Sequence, residues 1–302
     1  MQLLNFKENL IAQNIEVLEN EPMKNHTTFK IGGNADLFVK VKSKAELTKT
    51  LKLAKENEVP FFILGKGSNL LVSDSGIEGA VISLLGLNEI SVNQNEISCG
   101  AGANLSEVCI KARDNGLSGL EFAYGIPGSV GGAVYMNAGA YGGEMANVLK
   151  TATCVFSDGS EKTFSLKEME LGYRTSAFQK NNAIVVEVKL VLEKGKTEEI
   201  SALMNDFLAR RRDKQPLNYP SAGSTFKRPE NSFAGMLIQN SGLMGKTIGG
   251  AMVSTKHAGF VVNSGNASCK DVLELIDFVK KTVLKDSGIS LEPEVIFVGR
   301  KM

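Results

Sequence analysis

Histidine is nearly absent from this sequence, with only His26 and His257 present. Neither lies in a zinc-type spacing or beside a Gly-x-Ser-x-Gly elbow, which argues against a zinc hydrolase and a Ser-His-Asp hydrolase. Chemistry, if there is any, has to run on a cofactor or on other side chains, and no metal site is expected. Cysteine is sparse as well: Cys99, Cys109, Cys154 and Cys269 are scattered with no CxxC pair. That is the pattern of reduced, structurally buried thiols inside a cell. An excess of either charge is missing, since 34 Lys+Arg stand against 33 Asp+Glu for a net charge of +1, so nucleic acid is not the expected partner. No stretch reaches the roughly 18 apolar residues of a membrane-spanning helix. The opening Met1–Asn20, interrupted by Glu8, Glu16 and Glu19, does not read as a signal peptide. The expectation is a cytoplasmic protein that engages no membrane.

What is present is ordinary globular composition, 43% hydrophobic and 22% charged over 302 residues, enough for a large core and two or three domains. The densest feature is Gly119 to Gly143, with Gly125-Ile126-Pro127-Gly128-Ser129-Val130-Gly131-Gly132-Ala133 at its centre. Glycines cost folding entropy, so a chain keeps them where backbone takes unusual dihedrals or must approach something closely. A Pro-Gly turn followed by small residues lets backbone N–H groups reach an anionic or planar ligand. A packed turn between elements explains the glycines alone equally well.

In chain order, Leu4, Ile11, Ile15 and Leu18 fall at helical spacing and predict an amphipathic helix stopped by Pro22. His26 to Val41 reads as a turn and a strand, and Ser43-Lys44-Ala45-Glu46 has capping-box spacing for a helix ending before Pro60. Phe61 to Leu64 is a strand leading into Gly65-Lys66-Gly67-Ser68-Asn69, after which Leu70 to Val72 reads as another strand. The third glycine of a dinucleotide fingerprint and the Gly-Lys-Ser/Thr of a Walker loop are both missing; a ligand-binding nest and a plain hairpin remain open. Strands are predicted over Ala80–Leu84 and Ile90–Ser98, a helix capped by Asn104, a hairpin over Thr151–Phe164, and a strand over Ala183–Leu192. From Lys194-Gly195-Lys196 onward helices and strands alternate. They are a helix ending in Arg210-Arg211-Arg212, whose charges suit its dipole, a short helix at Ser232–Asn240, a strand at Phe260–Asn263, a helix opened by Ser268 and Asp271, and a last strand at Leu291–Gly299.

Several separate segments agree on one family. Thr27-Thr28-Phe29-Lys30-Ile31-Gly32-Gly33, Leu64-Gly65-Lys66-Gly67-Ser68-Asn69-Leu70, the Gly125 to Ala133 run, Asn137-Ala138-Gly139-Ala140-Tyr141-Gly142, Gly172-Tyr173-Arg174, Ala222-Gly223-Ser224-Thr225-Phe226-Lys227 and Leu291-Glu292-Pro293-Glu294-Val295 occur in order. Together they closely resemble the UDP-N-acetylenolpyruvoylglucosamine reductases (MurB) of bacterial peptidoglycan synthesis, in their shorter subtype. The resemblance implies an α+β chain with the FAD-binding fold of the vanillyl-alcohol-oxidase (PCMH) type: two flavin-binding subdomains and an α/β substrate-binding domain. The expected bounds are residues 1–79 completed by 291–302, then 80–193, then 194–290.

It further implies that Gly65, Lys66, Gly67, Ser68, Asn69 and Leu70, with Gly125, Ile126, Pro127, Gly128, Ser129, Gly131, Gly132, Ala133 and Asn137, hold FAD non-covalently, leaving His26 as loop. The implied reaction saturates an enolpyruvyl ether to a lactyl ether, with NADPH as co-substrate, in a protein expected to be monomeric. Hydride addition to the methylene carbon leaves negative charge beside a carboxylate. Arg174 has the permanently charged, bidentate fork to hold that charge, a protonated or bridged Glu294 can share it, and Ser224 is placed to give the completing proton. Tyr141, Tyr173, Lys214 and Lys227 are candidates for the uridine diphosphate or the carboxylate. Two departures from the family pattern are that the extra substrate-covering insertion of the longer subtype is absent, and that Arg228 stands where some members have Asn. Two rival readings stay open: a flavin oxidase or dehydrogenase of the same fold acting on another small substrate, and a non-catalytic nucleotide-sugar binding module.

Overall fold

The computed structural model describes residues 1–301. The chain divides into two units, each assembled from three separated stretches: unit 1 from Met1–Leu18, Leu37–Lys66 and Gly79–Arg211, unit 2 from Glu19–Asp36, Gly67–Glu78 and the chain from Arg212 onward. Its helices are α1 (Gln2–Ala12), α2 (Lys44–Glu56), α3 (Leu105–Asp114), α4 (Val130–Tyr135), α5 (Phe178–Asn181), α6 (Thr197–Lys214), α7 (Ala234–Asn240) and α8 (Cys269–Ser287). Among the described residues none is long and apolar enough to cross a membrane.

Unit 1 is built on a five-stranded antiparallel sheet in the order Glu161–Ser165, Leu149–Val155, Ile184–Val191, Glu96–Gly100, Ile90–Asn93. The alternation of Glu187 and Lys189 outward with Val188 and Leu190 inward shows a strand with one buried face. Val188 and Leu190 share a core with Phe6 and Leu10 of α1, Leu47 and Leu51 of α2, and Leu105 and Val108 of α3. Ser43 caps α2 by accepting from the Glu46 N–H at 3.1 Å, while the Glu46 carboxylate accepts from the Lys42 N–H at 2.7 Å. The four cysteines are buried and unbridged. Also in unit 1, Phe61–Leu64 pairs in parallel with residues 80–83 of the strand Ile77–Ser83.

Unit 2 packs α8 against a three-stranded antiparallel sheet, Thr247–Ile248, Ala251–Val253, Val261–Asn263. The helix starts in a full capping box of Ser268 and Asp271, buries Val272, Leu275, Ile276 and Val279, and ends at Gly288 with φ 72°, the left-handed cap that glycine adopts without a steric penalty. The Asp74 carboxylate accepts from the first N–H groups of α8, Cys269 at 2.8 Å and Lys270 at 3.0 Å. Leu70–Val72 pairs in parallel with Ile296–Val298.

Three sequence expectations change. The buried face of α1 is Phe6 and Leu10, while Leu4 and Ile11 are exposed. Asn14, at φ 59°, takes the chain out of the helix, and Ile15 and Leu18 fall outside it, Leu18 on the strand Glu16–Pro22. The strand expected over Ile90–Ser98 is a hairpin, folded at Gln94 with φ 56°. The Gly65–Asn69 loop joins no hairpin, because Phe61–Leu64 pairs with Ile77–Ser83 and Leu70–Val72 with Ile296–Val298.

Candidate active site

In unit 1 the glycine-rich run folds into a turn and the short helix α4. Ser129 is the N-cap residue, its Oγ accepting from the Gly132 N–H at 3.4 Å. Gly65 lies directly against it: a Cβ at position 65 would stand 2.4 Å from Ser129 Oγ. The chain therefore spends glycine here on close approach rather than on dihedral freedom. Gly131 presses on Ala101, whose Cβ would lie 2.8 Å from an added Cβ, but beside Gly132 the nearest atom would be Ser129 Oγ at 3.4 Å. Gly128, Ser129 and Ala133 are buried, whereas Pro127 and Gly132 are exposed and Lys66, Gly125, Ile126 and Gly131 are half-buried. One edge of the glycine run is thus packed and the other is open.

Arg174 follows on the turn Gly172–Thr175 with φ 55°, and Asn137 and Tyr141 are also left-handed, at φ 42° and 53°. For residues with a Cβ this conformation costs on the order of 1 kcal/mol each, and it persists where surrounding bonds over-determine it. Arg174 Nη2 donates to the Gly139 carbonyl at 3.2 Å, and its guanidinium lies 5.1 Å from the ring centre of the exposed Tyr173. Asn137 is fully buried: Nδ2 donates to the Gly172 carbonyl at 3.1 Å and Oδ1 accepts from the Ala146 N–H at 2.9 Å.

Tyr141 stacks on Phe207 of α6 with centroids 4.6 Å apart and planes 7° from parallel. One turn on, Arg211 is buried at 8% exposure. Burial pulls its guanidinium below the usual range, and the Tyr141 hydroxyl, hydrogen-bonded to it, opposes that pull. The three arginines that suit a helix dipole in sequence thus do three things: Arg210 pairs with Asp206 at 2.8 Å, Arg211 turns inward, and Arg212 is exposed.

In unit 2 the segment after Ala222 pairs with the segment that carries Glu294. Phe226 bridges Pro293, and the Lys227 N–H donates to the Glu292 carbonyl at 2.8 Å. Ser224 is exposed and Glu294 half-buried. Asn69 Nδ2 donates to the Glu294 carbonyl at 3.1 Å, and Asn69 O accepts from Ile296 at 2.9 Å. Lys227 is ion-paired with Glu292 at 2.5 Å, and Lys214, at the end of α6, is exposed. Gly67 needs to be glycine, since at φ 63° an added Cβ would lie 2.1 Å from the His26 carbonyl. Ser68 and Leu70 complete this stretch, Ser68 accepting weakly from Thr28 Oγ1 at 3.4 Å and Leu70 held opposite Ile296. Burial pulls the His257 imidazole below its usual range, and its Nδ1 accepts from the Gly259 N–H at 3.1 Å.

Residues 35–165 match the model described as FAD binding domain, and residues 215–298 match that of UDP-N-acetylenolpyruvoylglucosamine reductase, C-terminal domain. Fold and matches define an α+β, FAD-binding oxidoreductase. Among curated proteins, the UDP-N-acetylenolpyruvoylglucosamine reductase of Alkaliphilus oremlandii is 50% identical over 286 residues, covering 94% of each chain. That of Anoxybacillus flavithermus is 49% identical over 298 residues, 98% of this chain and 99% of its own. The crystal structure of UDP-N-acetylenolpyruvylglucosamine reductase (MurB) from Thermus caldophilus superposes with a TM-score of 0.79 at 36% identity, covering 94% of this chain and 98% of that one. The chain belongs to the UDP-N-acetylenolpyruvoylglucosamine reductase family.

The geometry of unit 1 fits an FAD cradle. The backbone at Gly132 is open where a side chain would intrude, and the Ser129 hydroxyl beside it, which accepts from the Gly132 N–H, still carries a proton of its own to donate to a diphosphate. Sequence motifs alone do not single out Ser176, Gln179, Phe207 or Arg211 as neighbours of these residues. The only advance signal is the i, i+4 spacing of Phe207 and Arg211, which places both on one helix face.

Proposed function

We propose that this protein reduces the enolpyruvyl ether of UDP-N-acetylglucosamine to UDP-N-acetylmuramate, using NADPH, in peptidoglycan synthesis. The observation that carries the reading is membership of one reductase family over nearly the whole chain, with the FAD-binding and C-terminal models matching different stretches of it. FAD, when bound, supplies the two-electron chemistry that passes hydride from NADPH to the vinyl carbon. Gly65, Lys66, Gly67, Ser68, Asn69 and Leu70 and the Gly125–Ala133 run are the residues to hold it, in flavin-binding regions 1–79 with 291–302 and 80–193.

Arg174 binds the substrate carboxylate and holds the charge that develops beside it as the methylene carbon is reduced. What supports that role is the fixed position of its guanidinium, held by the Gly139 carbonyl and lying over the Tyr173 ring, because a preorganised fork loses less on meeting a carboxylate. Glu294 shares the developing enediolate, and Ser224 donates the proton that completes the lactyl group. Tyr141, Tyr173, Lys214 and Lys227 bind the uridine diphosphate or the carboxylate, with region 194–290 as the substrate domain. The protein acts as a cytoplasmic monomer on small molecules.

Anaerobic mixing tests this directly. NADPH should bleach the yellow holoenzyme, and the enolpyruvyl nucleotide sugar should then restore the colour. Bleaching without recovery favours a flavin enzyme with another oxidising substrate, and a colourless protein favours a binding module.

A further inference from the structure

The turn that carries Arg174 is fastened to the end of α4 by side chains outside the proposed catalytic set. Ser176, fully buried, donates from Oγ to the Tyr135 carbonyl at 2.7 Å. Gln179 Nε2 donates to the same carbonyl at 2.9 Å and to the carbonyl of Arg174 itself at 3.1 Å. Tyr135 is the last residue of α4, so its carbonyl is one that a helix end leaves to be satisfied from outside. On the other side of Arg174, Asn137 holds the Gly172 carbonyl at 3.1 Å. Gln179 and Asn137 therefore bracket Tyr173–Arg174, one binding the carbonyl after the left-handed turn begins and the other the carbonyl before it. The same α4 starts at Ser129, against Gly65.

We propose that Gln179, together with Asn137, is a positioning residue that acts through Arg174, fixing its backbone in the left-handed conformation and tying that conformation to α4. Neither side chain contacts substrate. Asn137, which the sequence motif assigns to the flavin, instead has both ends of its buried amide committed to backbone groups at Gly172 and Ala146. This inference rests on the carboxylate-binding role of Arg174. Gln179 is suited to the task because one NH₂ group carries two donors and can meet two carbonyls at once. A displacement of about 1 Å in a charge-binding group is enough to cost roughly 100-fold in rate.

The test is Gln179→Met in the holoenzyme, which keeps side-chain length and removes both donors, with Gln179→Glu as a second variant that loses the same donors. Flavin content, melting temperature and bleaching by NADPH should stay near the parent values. Reoxidation by substrate should slow by roughly 10- to 100-fold, chiefly through kcat because the charge grows in the transition state, with a smaller rise in KM from the weakened carboxylate contact. In an Arg174→Ala background, Gln179→Met should slow reoxidation no further, because a positioning residue has nothing left to position. Parent-rate reoxidation in both Gln179 variants overturns the inference, and so does an equal slowing by Gln179→Met with and without Arg174, which is the signature of a merely structural role. If Arg174→Ala alone reoxidises at the parent rate, the role of Arg174 falls and this inference falls with it, a result distinct from either of the others.

Discussion

The backbone N–H of Glu294 donates to the carbonyl of Thr225 at 2.8 Å, so the proposed charge-sharing carboxylate is anchored one residue from the proposed proton donor, Ser224. The Lys227 N–H to the Glu292 carbonyl at 2.8 Å extends the same pairing, and Asn69 Nδ2 fixes the Glu294 carbonyl at 3.1 Å. Backbone pairing of this kind sets the spacing of two side chains without constraining their rotamers. That leaves Ser224, with Gly223 at φ 80° before it and no atom within 4 Å of an added Cβ there, room to present its hydroxyl.

The contact between Gly65 and Ser129 gives a first prediction. A side chain at position 65 must displace the Ser129 hydroxyl, which would lie 2.4 Å from the new Cβ, and with it the cap on the Gly132 N–H. Gly65→Val should fold, because the obstructed group is the tip of a small side chain rather than backbone, but it should purify with less flavin per protein. The flavin-to-protein absorbance ratio is the measurement. Parent-level flavin in the folded variant would remove Gly65 from the cofactor site.

Much of the scaffold is legible in the residues because its signals are local. The Ser268 and Asp271 box and Gly288 bound α8 within a few positions of its ends, and the alternation of Val188 and Leu190 with charged neighbours marks a one-sided strand. The parallel pairing of Leu70–Val72 with Ile296–Val298 is not legible from local pattern, since three-residue strands carry none and their partner lies at the far end of the chain; only the family resemblance brings 291–302 to the first region. Gln179 is hidden for a different reason. Its partners are the backbone carbonyls of Tyr135 and Arg174, and every residue has a carbonyl. Arg211 is masked by a sufficient local explanation, a basic residue at a helix end; its burial against Tyr141 is a tertiary fact.

A second prediction concerns alkaline pH. Burial pushes the thiols of Cys99, Cys109, Cys154 and Cys269 up to about 12, against about 8.5 for an unfolded thiol. Between those values the unfolded chain releases protons that the folded chain retains. Stability is therefore full below about pH 8.5 and falls as pH rises toward 12. Urea midpoints should decline across that window, and the decline should be smaller in a Cys109→Ala, Cys154→Ala variant. In parallel, iodoacetamide at mildly alkaline pH should label the native protein far more slowly than the urea-unfolded one. Equal labelling of the two would show that the thiols are not held protonated by the fold.

The last prediction separates proton delivery from hydride delivery at one residue. If Ser224 is the general acid, Ser224→Ala should bind FAD and be bleached by NADPH almost as the parent is, while reoxidation by substrate falls by roughly 10²–10⁴, the usual worth of a positioned acid. The pairing of residues 225 and 294 leaves the backbone at this position unchanged, so a loss confined to the second half reaction reports on the hydroxyl and not on the fold. Ser224→Cys should recover part of the rate, because a thiol also carries a transferable proton. Turnover in deuterated water should place solvent deuterium on the carbon that bears the carboxylate, the atom that accepts the proton once the neighbouring methylene has taken hydride. A Ser224→Ala enzyme that reoxidised at the parent rate would reassign the proton to water or to the carboxyl of Glu294. Glu294→Gln, which keeps a hydrogen-bond donor but has no acid proton to give, would then distinguish those two sources: a rate that survived the double change would leave water as the donor, and one that collapsed would leave Glu294.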